Sequence, residues 1–246
     1  MSNAHPSTHI PNIRRLEIHI TYRCNLRCTH CSNNISQAPS QEIMPAERIE
    51  NLLNESARLN WLWDWLVLHG GEPTLHPEFE RICALLADYK KRSNPAVNLF
   101  VCTNGHGEFV RKQLAVTQQY GITNCNSDKN GSPLIVYHVP LSVSPEDCGE
   151  DYYLGCFQTS RCGISYTNSG FYECSPAGAS ERLFGYPPLV AELKDLTAEK
   201  LAEGFKVHCK HCGYSRLQLI PHPDAPMSKT WLEAIERYKN RHETAH

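Results

Sequence analysis

Leu16-Glu17-Ile18-His19-Ile20-Thr21-Tyr22-Arg23-Cys24-Asn25-Leu26-Arg27-Cys28-Thr29-His30-Cys31 is the stretch on which the reading of this chain turns. Its first six residues alternate apolar and polar side chains, the period of a half-buried strand. Its last eight place three thiols on the loop that follows. The same strand-then-helix order recurs twice. Residues 62–69 form an apolar run ending in Gly70-Gly71, and 97–102 form a third strand-like run. Residues 45–59, 77–91 and 108–120 carry apolar side chains at helical spacing. This alternation predicts right-handed crossovers and a parallel α/β sheet whose reactive edge lies at the C-terminal ends of its strands. Further strands are expected over 122–126 and 134–141.

Beyond about residue 145 the alternation stops. Short β-type pieces at 164–167 and 170–173 flank Asn168-Ser169-Gly170 and predict a hairpin, and helices are expected over 189–204 and 228–241. The chain therefore divides into a core over 12–147 and a smaller unit over 148–246. With 24 basic and 26 acidic residues intermixed, it offers no electrostatic footprint for nucleic acid or an anionic membrane. No run reaches the roughly 18 apolar residues of a membrane span, and Met1 to Pro11 lack the apolar centre of a signal peptide, so a cytoplasmic protein is expected. In that compartment twelve cysteines read as metal ligands and not as disulfides.

Cys24, Cys28 and Cys31 are three, and the number matters. Structural zinc closes with four ligands, whereas a cubane held by three thiolates keeps one iron open to an exchangeable ligand. A zinc knuckle completed by His30 or a distant cysteine is the other reading.

The C-x3-C-x2-C spacing after the first strand, Gly70-Gly71-Glu72-Pro73 after the second and Thr103-Asn104-Gly105 after the third resemble the radical S-adenosylmethionine (SAM) superfamily. The resemblance implies a partial parallel (β/α) barrel with a [4Fe–4S] cluster on Cys24, Cys28 and Cys31, its open iron chelated by SAM. In that frame Gly70 and Gly71 let backbone approach the methionyl part, and Glu72 accepts from its ammonium. The backbone at His30 would lie near the adenine, and Asn104, Asn126 or Ser127 would meet other polar groups of the cofactor. The implied activity is reductive cleavage of SAM to a 5′-deoxyadenosyl radical that abstracts hydrogen from a C–H bond. Electrons would come from a partner such as flavodoxin or ferredoxin.

A second set, Cys156, Cys162, Cys174, Cys209 and Cys212, resembles the auxiliary-cluster region called SPASM, or its short form, twitch. That resemblance implies a second [4Fe–4S] cluster on Cys156, Cys174, Cys209 and Cys212, with Cys162 competing for the first place. A four-cysteine zinc ribbon is the alternative. Four thiolates leave no open iron, which points to electron transfer and so to a dehydrogenase-like, two-electron oxidation of a small molecule. A peptide maturase stays open, although the 23 residues before Cys24 are short for a leader-binding domain. A non-catalytic metal-binding protein would leave the Gly70 to Pro73 and Thr103 to Gly105 motifs without a task. Cys83 and Cys102 read as small apolar residues. Arg161, Tyr166 and Tyr172 flank the hairpin where substrate could reach them.

Overall fold

The computed structural model describes residues 11–126, 141–144, 147, 156, 159, 162–215 and 226–243. Three strand–helix units open the fold: β1 (Arg15–Thr21) with α1 (Ala46–Arg58), β2 (Trp65–Gly70) with α2 (Phe79–Arg92), and β3 (Asn98–Thr103) with α3 (Glu108–Gln119). A short β4 (Thr123–Asn126) follows. The alternation in β1 decides its two faces. Leu16, Ile18 and Ile20 are wholly buried and join Ile49, Leu52 and Leu53 of α1 and Ile82 and Leu86 of α2 in one core. Each such side chain stabilises the fold by about 1.5–3 kcal/mol through removal from water. Glu17 and His19 fall on the opposite face, which becomes the lumen of a partial barrel.

Strand order across the sheet is β4-β3-β2-β1-β5-β6. Strands β1 to β4 pair in parallel, as right-handed crossovers require. The remaining edge of β1 is taken by β5 (Ile164–Tyr166), also parallel, with Leu16 opposite Ile164 and Ile18 opposite Tyr166. Strand β6 (Phe171–Tyr172) returns antiparallel on β5. The hairpin that the sequence assigns to the later unit is thus continuous with the first sheet. It covers backbone groups of β1 that would otherwise form an open edge, and Ile164 and Phe171 join the main core.

Three helices complete the described part: α4 (Ser175–Phe184), α5 (Ala198–His208) and α6 (Lys229–Glu243). Helix α4 is not predicted by periodicity. Its residues Ala177, Gly178, Ala179 and Ser180 are all buried, so it has no exposed face to alternate with an apolar one. The helix expected over 189–204 begins only at Ala198. Leu189 and Val190 instead bond to the backbone of Phe171, and the Thr197 side chain caps the helix by accepting from Lys200 N–H. Tyr172 is buried with its hydroxyl donating to Glu181, which removes it from the substrate-facing residues; Tyr166 is also buried. Arg161 and positions 134–140 of the expected fifth strand lie outside the described residues. Among the described residues no helix is long and apolar enough to cross a membrane.

Candidate active site

The C-terminal ends of β1, β2 and β3 meet around the cysteine loop, and the glycine pair explains how closely. A Cβ on Gly70 would lie 2.2 Å from the Thr21 carbonyl oxygen, and one on Gly71 would lie 2.2 Å from that of Arg23. Gly71 N–H donates to Thr21 at 2.7 Å and Glu72 N–H to Arg23 at 2.8 Å. The side of each glycine that a Cβ would occupy is therefore filled by the backbone leading into Cys24. Glu72 is enclosed as well. Its carboxylate has no exposed surface. Oε1 accepts from Thr74 N–H at 3.2 Å and the Thr74 hydroxyl at 2.7 Å, Oε2 accepts from Asn104 N–H at 2.8 Å, and the Thr103 hydroxyl lies 3.0 Å from both oxygens. Within the chain this carboxylate braces the ends of β2 and β3.

Cys24, Cys28 and Cys31 are half-buried. Burial pushes the Cys24 thiol up and nearby Cys31 and Glu72 add to this, while hydrogen bonds from Leu26 N–H, at 3.4 Å, and the Asn104 amide, at 3.6 Å, oppose it. A metal cluster bound there would replace the proton outright. The His30 imidazole is buried and its Nδ1 meets the Ser142 hydroxyl, so its side chain ties the loop to the 141–144 segment. From the other side α4 holds the residues after Cys31. Arg182 donates to the Asn33 carbonyl at 3.1 Å with its guanidinium 3.3 Å from the centre of the Tyr22 ring, and Asn34 donates to the Ser180 hydroxyl at 3.0 Å. Arg182 carried no signal in the sequence, because its partner loop lies about 150 residues away along a chain with no local motif to link them. Asn126 closes β4 opposite Thr103. Ser127 lies outside the described residues.

The late cysteines converge. Cys156, Cys174, Cys209 and Cys212 line one cavity together with Tyr186 and Trp231. Cys174 sits at the N-terminus of α4, and Cys209 and Cys212 bracket the single turn after α5. Burial pushes the thiols of Cys174 and Cys209 far up; each is raised further by Glu173 and Cys212, and the Cys209 thiol also by Cys156. A zinc ion with bonds of about 2.3 Å demands tightly gathered thiolates, whereas a cubane is a wider body with a ligand at each corner. Among the described residues no three His, Cys, Asp or Glu side chains are gathered as a single ion requires. Four soft sulfur donors around one cavity suit zinc or an iron–sulfur cluster.

Cys162 lines an adjoining cavity with Glu17, Ser32, Asn33, His69 and Ser175, which shares Pro176 and Tyr214 with the first. Ser32 follows Cys31 and Ser175 follows Cys174, so this cavity lies between the two cysteine groups. The Ser175 hydroxyl is 2.8 Å from His19 Nε2 and 3.4 Å from His69 Nδ1, and Glu17 stands 3.9 Å from the same His69 nitrogen. Burial, then His69 and Arg182, hold His19 well below the ordinary imidazole range, so it is neutral. Cys102, read as an apolar core residue, instead pairs with Cys125 across β3 and β4, the two thiols sharing a hydrogen bond that helps push Cys125 down to about 6. The alternation of Leu99 and Val101 into the core was the signal that Cys102 faces the other way.

Residues 18–124 match the model of the radical SAM superfamily. They form a radical SAM domain. The mitochondrial GTP 3′,8-cyclase of Arabidopsis thaliana is 33% identical over 115 residues, covering 45% of this chain and 27% of that protein. The GTP 3′,8-cyclase of Corynebacterium glutamicum is 32% identical over 126 residues, covering 46% and 30% respectively. The shared segment thus spans less than a third of these relatives. Among solved structures, that of BtrN in complex with AdoMet and 2-DOIA superposes with a TM-score of 0.56 at 15% identity, over 83% of this chain and 89% of that one, a likeness of fold. The radical SAM match thus covers the segment that carries Cys24, Cys28, Cys31, Gly70 to Pro73 and Thr103 to Gly105.

Proposed function

We propose that this enzyme oxidises a small alcohol or amine by two electrons, using a SAM-binding cluster on Cys24, Cys28 and Cys31 and a second cluster on Cys156, Cys174, Cys209 and Cys212. One observation carries the reading: a cavity with ionisable walls adjoins the site of the late cysteines and is lined by Ser32, next to Cys31. When bound, SAM and its cluster supply a 5′-deoxyadenosyl radical that removes a hydrogen atom from a C–H bond. In the cavity, Glu17 and Ser175 face His69 Nδ1 and orient the imidazole. That leaves Nε2 to take the proton of a substrate hydroxyl or amine. Cys156, Cys174, Cys209 and Cys212 would hold a second cluster able to accept the remaining electron, so that the substrate would lose one hydrogen atom, one proton and one electron in all. Cys162 lies on the wall of the substrate cavity and is not counted among the ligands. Flavodoxin or ferredoxin is the proposed electron donor.

Anaerobic reconstitution should give roughly eight irons per chain and SAM-dependent release of 5′-deoxyadenosine. Replacing Cys24, Cys28 and Cys31 together by Ala should abolish that release and remove about half the iron. Stoichiometric zinc with only about four irons would sink the second cluster and leave the first standing. A redox-neutral product would sink the oxidation.

A further inference from the structure

Three strand ends are linked by one continuous set of hydrogen bonds that finishes on a cysteine sulfur. It begins at the buried Glu72 carboxylate at the end of β2, which accepts from Thr103 and from Asn104 N–H at the end of β3. This fixes the Asn104 backbone. The side chain is fixed separately. Asn104 Oδ1 accepts from His106 N–H at 2.8 Å, and Nδ2 donates to Asn25 Oδ1 at 2.8 Å. Asn25 returns a bond from its own Nδ2 to the His106 carbonyl at 2.7 Å. The orientation of the Asn104 amide is therefore set by a donor on one side and an acceptor on the other, and flipping it would break both bonds. With the amide so held, Nδ2 also points at Cys24 Sγ, 3.6 Å away. Asn104 is buried, so little water competes for that contact.

We infer that Asn104 is a positioning residue for the SAM-binding cluster, which sets its reduction potential through an N–H···S hydrogen bond to Cys24 held in place by Glu72. The inference rests on the reading that Cys24, Cys28 and Cys31 hold that cluster. It gives the Thr103-Asn104-Gly105 motif a task on the sulfur, in place of the cofactor contact expected from sequence. A donor aimed at a thiolate stabilises its negative charge most in the reduced, more electron-rich cluster, and hydrogen bonds to sulfur are among the determinants of cluster potential. Removing the donor makes the cluster harder to reduce. The clasp between Asn25 and Asn104 also fixes where Cys24 stands relative to β3.

The test uses the full-length reconstituted protein and two variants, Asn104→Ala and Asn104→Asp. Aspartate keeps the acceptor for His106 N–H but loses the amide donor and adds a negative charge. The readouts are iron content and the midpoint of the electron paramagnetic resonance signal that changes when SAM is added, followed in a redox titration. Both variants should keep the wild-type iron, with the midpoint moved to more negative values, further for Asp than for Ala. Release of 5′-deoxyadenosine should fall with a weak reductant and recover with a stronger one. An unmoved midpoint in iron-replete variants overturns the inference. So does loss of iron and signal in both, which would reduce Asn104 to a folding brace. If the wild-type protein itself gives no SAM-responsive signal, or Cys24→Ala keeps all its iron, the underlying cluster reading is what fails.

Discussion

The two cysteine groups are built by opposite means. Cys24, Cys28 and Cys31 lie within eight consecutive residues on one loop, and the surroundings of that loop come from three successive strand ends. Cys156, Cys174, Cys209 and Cys212 are spread over 57 positions and meet only because α4, α5 and the turn after α5 pack around one cavity. The first group is local in sequence and only half-buried. Cys156, Cys174 and Cys209 of the second are buried. A local loop can present thiolates before the rest of the fold is complete, whereas the second set depends on contacts of high sequence separation, whose loop-closure cost is met late. The second site should accordingly be the more easily lost on partial unfolding.

The largest separation between the regions is expected from ligand removal. Cys209→Ala should cost about half the iron and leave SAM cleavage in place, whereas Cys162→Ala should keep all the iron. Equal iron loss in both would return Cys162 to the ligand set. Next comes the joint beneath the first loop. Gly71→Ala forces a Cβ against the Arg23 carbonyl and should destabilise the protein by about 3 kcal/mol or more, seen in urea denaturation or as insoluble protein. Near-wild-type stability would mean that β2 and the cysteine loop can separate. Glu72→Gln replaces a full acceptor by a group that turns an N–H toward donors from Thr74, Thr103 and Asn104. A loss of about 1–3 kcal/mol in unfolding free energy is expected, present without SAM. A fall in SAM affinity at unchanged stability would instead place the carboxylate on the cofactor.

The smallest effect concerns pH. His19 has a folded pKa well below its unfolded value of about 6.5, so folding favours the neutral form. The stability this contributes is complete above about pH 6.5 and is lost as pH falls from there toward the folded value. Urea denaturation from about pH 7.5 to about 5 should show that decline, with a shallower slope in His19→Gln. An unchanged slope would show that other groups, such as the buried His76, dominate.

Much of the first region is legible in the sequence because its determinants are local. Alternation fixes β1, helical spacing fixes α1 to α3, and spacing alone marks the three cysteines. The missing parts are non-local. Nothing in Ile164-Ser165-Tyr166 shows that it pairs with β1 and not with a strand of its own unit, since pairing is set by which edge lies free in three dimensions. Helix α4 hides because it is buried all round and built of small residues. The burial of Glu72 hides for a related reason: a carboxylate is ordinarily exposed, and its donors at Thr103 and Asn104 are some thirty residues further along. Thirteen residues separate Cys156 from Gly170 and seven separate Cys162 from it, a difference that favours Cys156 only by family resemblance, and that the two line adjoining cavities is visible only in the packed fold.

The parallel pairing of β5 with β1 bears on how such an enzyme is assembled from parts. A catalytic core and an accessory module joined by a tether can be exchanged between lineages like cassettes. Here Leu16, Glu17 and Ile18 sit between partners from both halves of the chain. Cutting before Ile164 would bare one flank of β1, one of the two central strands, and expose the adhesive backbone that drives sheets to polymerise. A shortened version should therefore precipitate and not persist as a minimal enzyme, and recombination between related genes would succeed only where crossover points keep residues 15–21 and 164–172 from the same parent.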